Sequence, residues 1–221
     1  MTTLICLTDN NKASFYTDSL ACHEKEIDDT ELRPWAFVSK TFILPKFKSI
    51  LTGKLQLAWA ALHYISEWRS IGGDLEAIKE IPFGGMIGRY YRNNGSYASG
   101  SLFFCGYSNL TNGFNWFEII FDEEGGFKIE QPDVGMWIAT PTIDDWKDFC
   151  YDCDSFDQIA LKTMLEQKLQ DESKPFCDQI GIGGDIHATE IHLEKDNTVI
   201  FIVRTIFEFQ DKEISFLKMP L

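Results

Sequence analysis

The chain has 221 residues and a formal net charge of −14, from 34 acidic and 20 basic side chains. This length suits one domain spanning residues 1–221, and the 44% hydrophobic and 14% aromatic content predicts a well-filled core. So acidic a surface disfavours nucleic acids and anionic membranes as partners, because it would repel both. No apolar run is long enough for a transmembrane helix and the N-terminus lacks a secretion signal, which together predict a cytoplasmic protein.

The predicted elements begin with a β-hairpin. Two short apolar runs, 4–7 and 13–16, flank a polar turn, which is typical of antiparallel strands. Such a hairpin would place the amine and hydroxyl of Thr2 beside Asp18. An N-terminal threonine can act as a nucleophile with its own α-amine as the base, so Thr2 is a candidate nucleophile once Met1 is removed.

The rest of the chain alternates helices with runs of strands, which predicts two packed sheets with helices outside. The helix at 156–173 is predicted to bury Ile159, Leu161, Met164, Leu165 and Leu169 on its apolar side. In chain order the other predictions are an exposed acidic loop at 22–34, strands at 35–43 and 49–52, helices at 54–69 and 74–93 (the second interrupted near Pro82), and strands at 101–107, 115–122, 127–130, 136–142, 186–193 and 198–209.

Two residues in this series are candidates for chemistry. Lys40 lies in an apolar strand, where a lysine usually sits at an edge or extends to solvent. The functional alternative places Lys40 near Asp18 and the N-terminus, where its charge would lower the pKa of the amine. Gly53 stands at a predicted strand-to-helix turn, where backbone N–H groups could hold an oxyanion, although steric relief would also explain a glycine there.

The six cysteines are scattered and are predicted to be reduced thiols. Cys150 and Cys153 have the spacing of a zinc pair, to which Cys177 and His187 could be added. His187 and His192 lie five apart in a predicted strand, so they point to opposite faces. A loop with two reduced thiols is favoured over a zinc site, and neither a metal nor another cofactor is expected.

Four motifs, taken in order, resemble a known family. They are Thr2-Thr3 with Phe15-Tyr16-Thr17-Asp18-Ser19, Ser39-Lys40 followed by Leu51-Thr52-Gly53, the meander around 105–107 and 120–125, and Asp178 with Gly183-Gly184-Asp185-Ile186. The ordered set is similar to the proteasome β-subunit and the bacterial proteasome-like peptidases of the N-terminal-nucleophile hydrolase superfamily.

The resemblance implies an α+β fold, a four-layer αββα sandwich, and threonine-dependent hydrolysis of peptides. In that scheme Thr2 Oγ attacks the carbonyl while its α-amine shuttles the proton, and Lys40, oriented by Asp18, tunes the amine. The N–H of Gly53 stabilises the oxyanion, and Asp178 is a further catalytic residue.

The resemblance also implies a substrate pocket and partners. Ala21, Val38 and Leu51 would line a pocket that prefers apolar side chains. The subunits would self-associate into rings, and whether an ATPase partner feeds them is left open.

The chain departs from the family pattern at places that bear on catalysis. No Ser–Gly–Ser turn occurs near 138–142, Ile182 replaces the serine expected before the late Gly-Gly, and Asp178 lies one residue further from Gly183 than expected. Two alternatives therefore stay open. One is a non-catalytic subunit or binding protein that keeps the fold, and the other is a hydrolase of the same superfamily that acts on a small amide.

Overall fold

A computed structural model describes residues 3–22, 34–68, 70–97, 99–131, 138–143, 153–194 and 198–209. These residues form a mixed α/β structure with many strands and few helices. The strands are β1 (Leu4–Thr8), β2 (Lys12–Asp18), β3 (Leu20–Cys22), β4 (Pro34–Phe37), β5 (Thr41–Leu44), β6 (Ser49–Gly53), β7 (Gly100–Ser108), β8 (Gly113–Phe121), β9 (Phe127–Glu130), β10 (Ile138–Thr140), β11 (Asp185–Leu193) and β12 (Val199–Glu208). The α-helices are α1 (Leu55–Glu67), α2 (Gly84–Asn94) and α3 (Phe156–Ser173), and short 3-10 helices lie at Pro45–Phe47, Leu75–Glu80 and Phe176–Asp178.

Two antiparallel sheets carry the fold. Sheet I has the strand order β10-β1-β2-β11-β12, and sheet II has the order β5-β6-β7-β8-β9. Strands β3 and β4 form a separate two-stranded ribbon between β2 and β5 in the chain.

The predicted N-terminal hairpin is confirmed. Strand β1 pairs with β2 in a register that sets Leu4 opposite Thr17. The turn is closed by Asp9, whose Oδ1 accepts hydrogen bonds from the backbone N–H groups of Asn11 (2.7 Å) and Lys12 (2.8 Å). A side chain that caps its own turn in this way is typical of Asp in Asx turns.

The inner core lies between the two sheets. It contains Phe15 from β2, Cys105 from β7, Trp116 from β8 and Ile191 from β11, all buried. Each fully buried large apolar side chain stabilises the fold by about 1.5–3 kcal/mol relative to exposure. The two sheets therefore pack face to face through apolar side chains.

Each sheet also has an outer core, because successive side chains along a strand point to opposite faces. Next to the inner Phe15, Tyr16 packs outward with Met164 of α3. Next to the inner Ile50, Leu51 packs outward with α1 and α2. Strands β1 and β2 are buried on both faces for this reason.

Helix α3 matches the prediction in its bounds but not in its buried face. Ser155 caps its N-terminus by accepting a hydrogen bond from the N–H of Gln158 at 3.3 Å. Ile159 and Met164 are buried as predicted, whereas Leu165 and Leu169 are 37% and 62% exposed. The buried face instead includes the polar residues Thr163, Gln167 and Asp171, which hydropathy alone excludes from a core.

Two predicted elements are each divided in the structure. The strand predicted at 35–43 becomes β4 and β5, with Ser39 and Lys40 between them. The helix predicted at 74–93 becomes a 3-10 helix and α2, separated at Pro82, as its interruption suggested. Most of the predicted acidic loop lies outside the described residues. None of the described helices has the length and apolar character needed to cross a membrane.

Candidate active site

The candidate site forms where the ends of the two sheets meet. Asp18 is the last residue of β2, Lys40 immediately precedes β5, and Gly53 is the last residue of β6. The sheets are joined nearby by a hydrogen bond of 2.7 Å between the hydroxyls of Thr41 on β5 and Thr189 on β11. The topology therefore brings together residues that lie far apart in sequence.

Asp18 is the centre of the site. One carboxylate oxygen, Oδ1, accepts hydrogen bonds from Lys40 Nζ at 2.7 Å and from the backbone N–H of Thr3 at 3.2 Å. The other, Oδ2, accepts a long hydrogen bond from the N–H of Gly183 at 3.4 Å. The carboxylate is thus fixed to the N-terminal strand, to the lysine and to the loop before β11.

The Lys40–Asp18 ion pair is almost completely buried, with side chains 3% and 1% exposed. Burial raises the pKa of Asp18, and the Lys40 ammonium group and the N–H groups of Gly183 and Thr3 oppose that rise. A buried pair is tolerated when hydrogen bonds satisfy its polar atoms, and loss of one partner leaves an uncompensated charge. The two residues therefore depend on each other.

Lys40 is positioned by its neighbours on sheet II. Its carbonyl accepts a hydrogen bond of 2.7 Å from Thr52 Oγ1, one residue before Gly53. The adjacent Ser39 hydroxyl donates to the carbonyl of Thr41 at 3.2 Å. These two hydrogen bonds fix the backbone around Lys40 just before β5, and the lysine side chain extends from there to Asp18.

Gly53 is required by close packing. Its φ of +146° lies outside the range that other residues readily adopt, and a Cβ built there would be 2.3 Å from the carbonyl oxygen of Ser101 on β7. Steric relief therefore accounts for a glycine at this position. An oxyanion role for its N–H is a separate question and remains a prediction.

Ser19, Gly183 and Gly184 belong to the motifs that resemble the family, and the sequence alone predicts no role for them. Ser19 Oγ accepts a hydrogen bond from the N–H of Asp185 at 2.8 Å, and Leu20 donates its N–H to Gly183 at 3.1 Å. A Cβ on Gly184 would lie 2.4 Å from Ser19 Oγ, and the φ of this residue is +75°. Gly184 thus lets the loop pack against Ser19, the neighbour of Asp18. The sequence signal for this approach is an Asp-Ser pair followed much later in the chain by Gly-Gly.

The other predicted site residues are placed differently. Thr2 lies outside the described residues, one position before Thr3. Ala21 is buried in β3 and Val38 is half-buried after β4, so both belong to the ribbon beside Asp18, where Val38 donates its N–H to Ser19 at 2.9 Å. Leu51 is fully buried in the outer core of sheet II, with no surface exposed to a ligand.

Asp178 is not brought to the cluster. It is exposed, at the end of a 3-10 helix, and makes no hydrogen bond to Asp18 or Lys40 in the described part of the chain. The contact from this region to Asp18 is made by the backbone N–H of Gly183. The extra residue between Asp178 and Gly183 is consistent with this displacement.

Two hydroxyls next to the ion pair have no hydrogen-bond partner among the described residues. They are Thr3 Oγ1 and Thr17 Oγ1, both fully buried. Buried polar atoms are nearly always paired with protein or ordered water, so these two hydroxyls have unused hydrogen-bonding capacity. Thr3 is the residue whose N–H binds Asp18, and Thr17 is the residue before Asp18.

The zinc alternative involves residues that are mostly not described. Cys150 and the side chain of Cys177 lie outside the described residues. In the part of the chain that is described, no three His, Cys, Asp or Glu side chains are grouped so as to hold a metal ion.

Comparison with known proteins gives a likeness of fold. No protein-family model and no curated protein matches the sequence. Among solved structures, the chain is similar to the Gly-1 mutant of Anbu from Hyphomicrobium sp. strain MC1, with a TM-score of 0.57 and 16% sequence identity over 93% of this chain and 88% of that chain. At this identity the likeness shows a shared fold and nothing beyond the fold.

Proposed function

We propose that this chain is an N-terminal threonine hydrolase of the proteasome-like type, which cleaves peptide bonds with Thr2 after removal of Met1. The observation that carries the proposal is the buried Lys40–Asp18 pair, bonded directly to the N–H of Thr3. Consecutive Cα atoms are about 3.8 Å apart, so this contact fixes the chain one residue from the proposed nucleophile. A cytoplasmic location is part of the proposal.

The arrangement of the three cores supports the finer fold assignment. Helices α1 and α2 pack on sheet II, the sheets pack on each other, and α3 packs on sheet I. This is the order expected of an αββα sandwich, the fold proposed here.

The proposed reaction has two steps. Thr2 Oγ attacks the carbonyl carbon of the peptide and gives its proton to the α-amine, which passes the proton to the leaving amine as the C–N bond breaks. Water then attacks the resulting ester, and the proton it loses to the amine returns to Thr2 Oγ. A neutral amine is required in both steps because only the neutral form can accept a proton.

Lys40 acts in this scheme through its charge. A buried ammonium group near the amine disfavours a second positive charge there and lowers the pKa of the amine towards neutrality. Asp18 holds Lys40 in place and partly offsets its charge. Both are therefore proposed as groups that position and tune the nucleophile.

The oxyanion and the substrate are assigned to neighbouring backbone and side chains. The N–H of Gly53 is the proposed donor to the oxyanion, as the resemblance implies. Ala21 and Val38, on the ribbon beside Asp18, are proposed to contact apolar substrate side chains, whereas Leu51, fully buried in the outer core of sheet II, is left out of the proposed contact surface. Rings that enclose the Thr2 sites are the proposed assembly.

The first test is the intact mass of the protein before and after a threonine-directed epoxyketone. We expect the untreated protein to lack Met1 and the treated protein to gain one probe. Thr2→Ala should abolish labelling, while the matched variant Thr2→Ser keeps a hydroxyl nucleophile and should retain part of it. A protein that keeps Met1, or one that is labelled equally in Thr2→Ala, would overturn the proposal.

A non-catalytic subunit is the second candidate, and a particular observation favours it. Ile182 is buried where the family pattern has a serine, and the described residues directly after β10, 141–143, contain no serine. The site thus lacks hydroxyls that would help to set the amine. Loss of Met1 without labelling by the probe would support this candidate over the first.

A further inference from the structure

Strand β12 differs from the other sheet edges. Sheets I and II end at β10, β12, β5 and β9, and these strands have 3, 10, 4 and 4 residues respectively. Proteins commonly protect an edge by keeping it short or by placing charges on it. Strand β9 follows both rules, since Lys128 and Glu130 are two of its four residues. Strand β12 is long, and no described strand pairs with its outer edge.

Three of the five exposed side chains of β12 are apolar, and the other two are Thr205 and Glu208 at its C-terminal end. Ile200, Ile202 and Val203 are 44%, 39% and 56% exposed. The sole charge between residues 199 and 205 is Arg204, which is already paired with Asp157 and Glu190. On a chain with a net charge of −14, this neutral edge is a surface where a second copy can approach with little repulsion.

A bulge sets the usable length of the edge. Val199 to Thr205 pair with β11 without interruption, and the register then shifts between Ile186 and His187 on β11. A bulge bends the strand and disrupts the ladder, so the regular edge is the stretch 199–205. Ile202 is its central residue.

Geometry then fixes how two copies can pair. Residues directly opposite each other in a sheet have their side chains on the same face, whereas neighbouring residues of one strand point to opposite faces. A two-fold axis that relates two antiparallel copies of a strand must therefore pass through a residue position and cannot pass between two residues. Centring on Ile202 uses the whole regular stretch, and it pairs Phe201 with Val203 and Ile200 with Arg204. No like charges face each other, whereas centring on Arg204 would oppose two arginines.

We infer that β12 is a homodimerisation edge, on which two copies of this chain pair antiparallel about Ile202 and join their sheets I into one ten-stranded sheet. Main-chain hydrogen bonds would satisfy the open edge, and exposed isoleucines and valines would be covered on both faces. This contact is two-fold and does not depend on the proposed catalytic activity.

The test is site-directed cross-linking of the full chain. Ile202→Cys would place two introduced thiols opposite each other, within the Cα separation that a disulfide spans. Glutathione disulfide oxidises them to one intermolecular disulfide and is itself reduced to two thiols. We expect a covalent dimer on a non-reducing gel, well above the amounts given by the wild type and by Ile129→Cys, which adds a thiol to the edge strand β9.

A second pair of variants tests the contact without cross-linking. Ile202→Lys would oppose two positive charges at the centre of the interface and should weaken dimerisation about tenfold in sedimentation equilibrium, while Ile129→Lys should have no effect. Equal cross-linking at positions 202 and 129, or no change with Ile202→Lys, would overturn the inference. Occupation of the edge by another protein or by another segment of this chain would give that negative result.

Discussion

Strand β2 carries two clusters of ionic groups that differ in burial and in what they connect. At its C-terminal end, Asp18 is paired with Lys40 alone, and both side chains are buried. Along its middle, Tyr16 belongs to a second cluster with Asp157, Glu190 and Arg204, here called the α3 clamp.

The α3 clamp joins the first turn of α3 to sheet I. Arg204 donates two hydrogen bonds to the carboxylate of Asp157, at 2.7 and 2.8 Å, and a third to Glu190 at 3.1 Å. Tyr16 donates to Asp157 at 2.9 Å, and Lys12 donates to Glu190 at 3.3 Å. The side chains of Arg204 and Asp157 are 36% and 39% exposed, so water reaches this cluster.

The comparison separates a structural role from a proposed functional one. In the clamp, several partners share the charges, and the contacts connect a helix to a sheet. At Asp18, one cation and one anion are buried together, and the remaining contacts come from the backbone N–H groups of Thr3, next to the N-terminal strand, and of Gly183. A buried pair of this kind is weak evidence for stability as such, which favours a function at the N-terminus as the reason for its presence.

The largest expected effect comes from breaking the buried pair. Lys40→Met should lower the free energy of unfolding by about 3–5 kcal/mol, because it leaves the Asp18 carboxylate buried without a cation. Urea unfolding measures this loss. The matched control is Lys12→Met, which also removes a lysine bonded to a carboxylate on β11, but at a partly exposed site, and should cost about 1 kcal/mol or less.

The double variant Lys40→Met with Asp18→Asn sharpens this test. A neutral amide in place of the unpaired carboxylate should recover part of the stability that Lys40→Met loses, so the two changes should not add. Equal losses in Lys40→Met and Lys12→Met, or strict additivity, would show that the two clusters do not differ as described.

Breaking the clamp should have a smaller effect. Asp157→Asn removes the negative charge that is paired with Arg204, and with it an acidic group in the first turn of α3, where such a group interacts favourably with the helix dipole. The variant should lower the free energy of unfolding by about 1 kcal/mol, because the ion pair is partly exposed to solvent. Hydrogen exchange should show faster opening of the first turn of α3. Asp154→Asn, an exposed acidic residue just before the same helix, is the control and should leave both quantities nearly unchanged.

Much of this architecture follows from local sequence. The Asx turn at Asp9 and the cap at Ser155 have recognisable side chains, so the first hairpin and α3 could be predicted with their limits. The buried face of α3 could not, because Gln167 and Asp171 are buried through hydrogen bonds to backbone groups, Gln167 to Pro141 and Asp171 to Ile180 and Gly181. Hydropathy contains no information about such long-range partners.

The candidate site was predictable in its side chains and less so in its backbone. Asp18 stands out as a charge at the end of a predicted strand and Lys40 as a lone charge within one, and the structure brings the two together. Asp178 was also carried over from the family pattern, yet a backbone N–H from Gly183 contacts Asp18 instead. A backbone donor does not constrain the identity of its own residue, and the sequence signal is the adjacent Gly184, where a Cβ would collide with Ser19.

The smallest expected effect is a pH dependence of the clamp. Hydrogen bonds from Arg204 lower the pKa of Asp157 in the folded state. Burial alone would raise the pKa of Glu190, but hydrogen bonds from His192 and Arg204 outweigh it and the pKa is lowered. A carboxylate whose pKa is lower in the folded state than in the unfolded state stabilises the fold at pH values above its unfolded-state pKa, which is about 3.9 for Asp. This stabilisation is lost as the pH falls through the folded-state pKa.

Urea unfolding of the wild type and of Asp157→Asn at a series of pH values measures this loss. We expect the gap between the two proteins to be constant near neutral pH and to close below about pH 4. The pH dependence that Asp18 gives to the stability has the opposite sign, because burial raises its folded-state pKa. The stability that Asp18 contributes is present at low pH and is lost as the pH rises through that folded-state pKa. A gap that instead widened in acid would mean that Asp157 titrates as a buried, poorly paired carboxyl, and the distinction between the two clusters would fail.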